Sequence, residues 1–220
     1  MKNTFRSFTV VASCCVGMLA FAQVSHGQNF YLDADFGVGL AGDVKVSRLI
    51  VPTPGMKLEL DAGPRLSVAG GYHFNDYLGV QLETGLFGNN VSGLSTGGDI
   101  DAAVFHVPLL VEVVVRYDKP DCSVVPFVGI GLGGDISVIA LDDVRVSNTT
   151  EVDGAGSDVV FAWQAFVGAR YKFNERISLG AAYKFFSADG AKWDVEHTSG
   201  DIKSGSAQIH SLVVDFTMKF

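Results

Sequence analysis

The sequence is short of cysteine, proline and positive charge, and each shortage removes a class of protein. Only three residues are Cys. Two of them, Cys14 and Cys15, fall in an apolar leader, so Cys122 alone remains for a mature chain. No intramolecular disulfide and no paired-thiol metal site can then form. The six Pro residues are scattered, and Lys plus Arg number 16 against 24 Asp plus Glu, a net charge of −8. A nucleic-acid surface requires the opposite sign, so no nucleic-acid partner is expected. Long hydrophobic runs are also missing: after residue 28 nothing approaches 18 uninterrupted apolar residues, which argues against helical membrane spans. What is plentiful is hydrophobic residues, at 48%, and Gly, at 26 residues. That hydrophobic content is incompatible with disorder.

The leader has the layout of a secretory signal peptide. Lys2 and Arg6 form a basic start, the stretch Ser7–Ala22 is mainly apolar, and small residues follow at Ala20 and Ala22 and at Ser25 and Gly27. As an uncleaved anchor it would be short of the roughly 20 residues that span a bilayer. Val11-Ala12-Ser13-Cys14 has the look of a lipoprotein box, but the apolar run continues past it through Met18, Leu19 and Phe21. Cleavage near residue 22 or 27 is expected, leaving 28–220 as one domain. Losing Lys2 and Arg6 and no acid takes the net charge from −8 to −10.

The remainder repeats with period two. In Phe30–Leu40 the even positions are Phe, Leu, Ala, Phe, Val and Leu, with Tyr31, Asp33, Asp35, Gly37 and Gly39 between them. Successive side chains of a strand point to opposite faces, so one face is greasy and the other polar or minimal. The same alternation runs through Leu58–Phe74, Leu78–Leu86, Phe105–Tyr117, Val124–Gly134, Phe161–Phe173, Ile177–Phe186 and Gln208–Phe220. Three connections are tight: Asn75-Asp76, Asp118–Cys122 and Asn174-Glu175-Arg176. Four are long: 41–56, 88–101, 135–158 and 187–207. Strict alternation of short and long connections predicts an all-β, eight-stranded antiparallel up-and-down transmembrane barrel.

Two further patterns distinguish a membrane barrel from a soluble, lipocalin-like one. Aromatics on the apolar phase gather at strand ends: Phe30, Tyr72, Phe74, Tyr117, Tyr171, Phe173 and Phe220 at one level, Phe105, Phe161, Trp163 and Phe185 at the other. Such bands suit the two membrane interfaces. The polar phase carries Asp33, Asp35, Glu59, Asp61, Glu83, Glu112 and Asp215 against Arg65, Arg116, Arg170, Lys172, Lys184 and Lys219, close to balance. Glycines at 129, 131 and 133 leave room for large charged neighbours in a lumen that eight strands just enclose.

Val107-Pro108-Leu109-Leu110, Pro126–Gly133, Ala169-Arg170-Tyr171-Lys172-Phe173 and the ending His210-Ser211-Leu212 … Phe220 resemble the OmpA-like/OmpX-like superfamily of eight-stranded outer-membrane barrels. The resemblance implies an outer-membrane location, contact with its lipid, and biogenesis through the barrel-assembly machinery. It also implies that the row Leu212, Val214, Phe216, Met218 and Phe220 is the C-terminal assembly signal. It carries over no catalytic residue, and no peptidoglycan-binding domain is legible after the barrel.

The expected function is non-enzymatic: a barrel displaying four loops for adhesion, surface recognition or envelope integrity, with the surface ligand unidentified and no cofactor. A small pore is one alternative, and a lipid- or protein-modifying enzyme another. His210 and Ser211 are adjacent and so face opposite ways, while His73 and His106 fall on the inward phase. Acids at 135, 142, 143, 151, 153 and 158 read as a solvated loop surface, with weak Ca²⁺ or Mg²⁺ binding as the sharper possibility. His197 with Asp194 and Glu196 has no firm metal-ligand spacing.

Overall fold

Twelve strands and no helix occur among the described residues of the computed structural model, which are 29–49, 51–94, 101–147, 150–194 and 201–220. The segment 1–27, read above as a signal peptide, lies outside them. The strands are β1 (Phe30–Ala41), β2 (Val44–Leu49), β3 (Val51–Leu60), β4 (Gly63–His73), β5 (Leu78–Leu94), β6 (Asp101–Arg116), β7 (Val124–Ser147), β8 (Thr150–Lys172), β9 (Ile177–Ala188), β10 (Lys192–Asp194), β11 (Asp201–Ser204) and β12 (Ala207–Lys219).

Eight of these close into an antiparallel barrel in the order β1, β4, β5, β6, β7, β8, β9, β12, with β12 pairing back onto β1. Following paired residues around the wall from Val124 leads through Tyr171, Leu179, Phe216, Ala34, Val68, Thr84 and Leu109 to Gly134. The circuit returns to β7 ten residues further on (134 − 124), which is the shear of the barrel. For eight strands that stagger corresponds to a tilt of about 40°.

The tight turns form for a local reason. Asn75 Oδ1 accepts from the amides of Tyr77 and Leu78, both at 2.8 Å. Asn174 Oδ1 does the same for Arg176 at 2.9 Å and Ile177 at 2.8 Å. An Asn side chain standing in for a backbone acceptor is what reverses the chain at both places.

At the other end most of the described residues of the long connections lie in strands, which corrects the expectation of loops at 41–56, 88–101, 135–158 and 187–207. Strands β5 to β8 continue well beyond the barrel, and the β2–β3 and β10–β11 hairpins complete the wall beside them. The hairpins stand above β1, β4, β9 and β12, each joined to its strand across a short break. Every break reverses the facing of the side chains. Odd residues face inward in β1, β4 and β12 and even residues in β9, whereas Val44, Val46, Leu58, Ala191, Trp193 and Ile202 are the buried ones above.

This reversal overturns one reading. Leu58–Phe74 is two strands, and the break at Asp61-Ala62 turns Leu58 inward and leaves Glu59 and Asp61 exposed. Glu59 and Asp61 therefore do not belong to the interior charge set.

The upper wall encloses an apolar cluster that includes Val46, Leu58, Val104, Ile139, Trp193 and Ile202. Phe87, Leu110, Phe186 and Ile209 form the layer below it. Outside, the barrel is greasy: Phe36, Leu109, Val111, Ile130, Leu212 and Val214 are all more than half exposed. The aromatic rows noted in the sequence stand outward at both ends, with Phe74, Tyr117, Tyr171 and Phe173 exposed at the tight-turn end.

Candidate functional site

The lumen beneath this cap holds the densest polar chemistry among the described residues. Arg65 is fully buried; it donates to Glu83 at 3.1 Å, to Ser211 at 3.2 Å and to Gln164, and lies over the Phe87 ring at 4.0 Å. Lys184 bridges Asp35 at 2.5 Å and Glu83 at 2.6 Å. Arg170 spans Asp33 at 2.8 Å and Asp215, which it meets through two nitrogens. Glu112 is held by amides instead, from Gln81 at 2.6 Å and Gln164 at 2.8 Å, and the Tyr31 hydroxyl donates to Gln81 at 2.7 Å.

Glycine makes this crowding possible. A Cβ on Gly131 would lie 2.6 Å from the Glu112 Cγ, and one on Gly129 would lie 2.2 Å from the Phe166 ring. Both contacts are far inside van der Waals range, so the side chains opposite occupy the space that the glycines leave.

At the tight-turn end the lumen is closed by a hub. Asp118, in the β6–β7 turn, accepts from Arg116 at 2.9 Å, Lys172 at 2.9 Å and Lys219 at 2.6 Å. Burial works against ionisation of Asp118. The hydrogen bonds from Lys219 and Lys172 outweigh it, and the carboxyl is held down at about 2.

The structure thus brings together Asp33, Asp35, Arg65, Glu83, Glu112, Arg116, Arg170, Lys172, Lys184 and Asp215 in the lumen. Lys219, on the same polar phase, joins them as expected; the structure adds Asp118 and leaves out Glu59 and Asp61. Apart from Asp135, which pairs with His106, this network carries six acids (33, 35, 83, 112, 118, 215) against six bases (65, 116, 170, 172, 184, 219). Asp118 was hidden in the sequence because Asp in a Pro-containing turn reads as a turn former. Gln81 and Gln164 share the inward parity and were findable from it.

A second correction concerns Asp135. It reads as part of a solvated acidic loop, yet it is fully buried inside β7 and bonds His106 Nδ1 at 2.6 Å. Ser137, the cross-strand partner of His106, gives its carbonyl to the Trp193 indole N–H at 3.1 Å, which ties β10 to the barrel wall. Among the described residues no Ser hydroxyl or Cys thiol hydrogen-bonds a histidine ring; His210 pairs outside the barrel with the Tyr183 hydroxyl at 2.6 Å. Nor is any group of three or more His, Cys, Asp or Glu among them arranged for a metal ion. The His197 and Glu196 positions lie outside the described residues, as do the side chains of 142, 143, 151, 153 and 194.

The closed eight-stranded wall and its greasy exterior agree with the family comparison. The model of the outer membrane protein beta-barrel domain matches residues 8–216. The chain belongs to that family. Its barrel is therefore an outer-membrane barrel, and the exposed apolar belt is its lipid face. No curated protein matches the sequence. Among solved structures the chain is similar to neisserial surface protein A, with 15% identity, a TM-score of 0.54, and coverage of 87% of this chain and 97% of that one. It is also similar to the outer membrane protease OmpT from Escherichia coli, with 8% identity, a TM-score of 0.50, and coverage of 88% and 98%. At these identities the likeness concerns the fold.

Proposed function

We propose that the protein is a non-enzymatic outer-membrane barrel, exported through a cleaved signal peptide, whose capped outer end serves adhesion, surface recognition or envelope integrity. The observation that carries this reading is the filled interior. Six acids and six bases interlock between the hub at Asp118 and the apolar layer of Phe87, Phe186 and Ile209. Eight strands enclose a lumen that side chains just fill, whereas open channels take 16 or more. A Ser or Cys within reach of a histidine, the pairing on which many covalent hydrolases rely, has no counterpart among the described side chains. The polar outward face of the upper wall, with Lys45, Lys57, Glu59 and Lys203 exposed, is the part that faces a surface partner.

The test pairs two measurements on purified full-length protein. In planar bilayers it is expected to give no large steady conductance. On a glycan and matrix-protein array it is expected to retain a ligand that a variant lacking residues 44–60 does not. Porin-sized currents, or hydrolysis of envelope lipid or protein by reconstituted protein, would overturn the reading.

A further inference from the structure

The β1–β12 junction is where the barrel closes on itself. Every other junction joins strands that follow one another along the chain, through a turn or an outer hairpin, whereas β1 and β12 stand at opposite ends of the strand order. Closing the longest loop costs the most chain entropy and brings no local contacts in advance, so this junction forms last.

Its inward positions are set against closure. Asp35 stands directly opposite Asp215, and Asp33 is two residues away, opposite Thr217. Like charges placed opposite each other destabilise a strand pair, and low polarizability inside the barrel strengthens the repulsion. The one inward cation on these two strands, Lys219, is engaged by Asp118. On the neighbouring β4, Ser67 gives Asp35 a hydrogen bond at 3.0 Å, while Arg65 is committed to Glu83, Gln164 and Ser211. The compensating charge comes from elsewhere in the wall. Arg170 of β8 reaches across to Asp33 and Asp215, and Lys184 of β9 reaches Asp35. Asp33 Oδ1 and Asp35 Oδ1 remain without a hydrogen-bond partner, so these two cations are the main compensation that the acids receive.

We propose that the β1–β12 junction is a charge-gated seam, which shuts only once β8 and β9 are in the wall and have placed Arg170 and Lys184 among the opposed acids. The gate orders assembly: the two terminal strands repel each other until the strands that carry their counter-charges are in position.

The experiment follows seam closure during refolding of the full chain into detergent, in a background in which Cys14, Cys15 and Cys122 are all replaced by Ser. Val38→Cys with Leu212→Cys reports the seam, since the two positions are paired and face outward. Leu66→Cys with Leu86→Cys reports the β4–β5 junction in the same way. The seam cross-link is expected to appear after the control one. Adding Lys184→Gln should lower the seam cross-link about a hundredfold or more, in keeping with the cost of an uncompensated buried carboxylate, and leave the control unchanged, because Glu83 of β5 keeps Arg65. Adding Asp35→Asn to that variant should restore the seam. Asp215→Asn alone, which removes the opposed pair and keeps both cations, should bring seam closure forward in time. Simultaneous loss of both cross-links, failure of Asp35→Asn to rescue, or unaltered timing in Asp215→Asn would each overturn the gate and leave Arg170 and Lys184 as general stabilisers.

Discussion

Lys219, at the inner end of β12, donates a 2.6 Å hydrogen bond to the carboxylate of Asp118 in the β6–β7 turn. That contact ties the last strand to the far side of the barrel floor. It also gives the floor a pH dependence of known sign. The Asp118 carboxyl is lowered from an ordinary 3.8 to about 2. A group with a lowered folded value contributes stability that is present above its unfolded value and is lost as pH falls through the folded one. Resistance to denaturant should therefore decline between about pH 4 and pH 2, and Asp118→Asn should show less of that decline while starting lower at pH 7. Parallel pH curves for the two proteins would contradict the hub.

Truncating a buried cation should cost far more than truncating an exposed one. Arg170→Ala strands Asp33 and Asp215 in the lumen, and breaking a buried pair on one side costs about 3–5 kcal/mol. Lys45→Ala on the outer wall should stay within about 0.5 kcal/mol. Urea unfolding of the detergent-folded proteins compares the two.

The glycines facing the charged side chains should resist enlargement. Gly131→Val has to displace Glu112, which Gln81 and Gln164 hold in place, and overpacking of this sort costs about 1–3 kcal/mol. Gly93→Ala meets nothing within 4 Å and should be nearly neutral. The temperature at which the folded gel band converts to the unfolded one reads the difference.

The cap should loosen independently of the barrel. Trp193→Ala removes the largest side chain of the upper cluster and the hydrogen bond to Ser137, a loss of about 3–5 kcal/mol for a buried Trp. Proteolysis of the intact barrel should then cut the outer segments faster, while the folded gel mobility persists. Unchanged proteolysis would mean that the cap does not depend on this anchor.

Assembly in cells should depend on the outward row of the last strand. Leu212, Val214 and Phe216 are exposed to lipid, and Met218 and Phe220 continue the row. If the row is the assembly signal that the family resemblance implies, deleting Phe220 lowers outer-membrane yield relative to a Phe30→Leu control, and refolding into detergent suffers less. Equal yields would remove that role from Phe220.

The barrel itself was legible because its information is local. Parity along Phe30–Leu40 assigns Asp33 and Asp35 to the interior, and Asn75 and Asn174 announce their own turns. Parity fails where the strand breaks. Glu59 and Asp61 share the phase of Arg65 in the sequence, and nothing local reveals that the backbone at Asp61-Ala62 changes it. The cap was illegible for a different reason: the β2–β3 and β10–β11 hairpins exist because they cover one another and Trp193, a contact between segments about 150 residues apart. Asp135 was misread with them, since its partner His106 lies on another strand.

The breaks at Gly42-Asp43, Asp61-Ala62, 189–191 and 205–206 have a consequence for how the protein can change. Below each break the greasy side of the wall looks out at lipid; above it, the greasy side looks in, away from water. A strand's facing is set by residue parity, and shifting it by one residue turns every side chain over. Replacing a residue within a break therefore leaves the wall above it the right way round. Deleting one would turn Leu58 or Trp193 out to the medium and bring lysines in over the lumen. Along these four strands the number of residues in each break is constrained more tightly than their kind, and the tolerated variants should be substitutions or paired deletions, with single-residue deletions excluded.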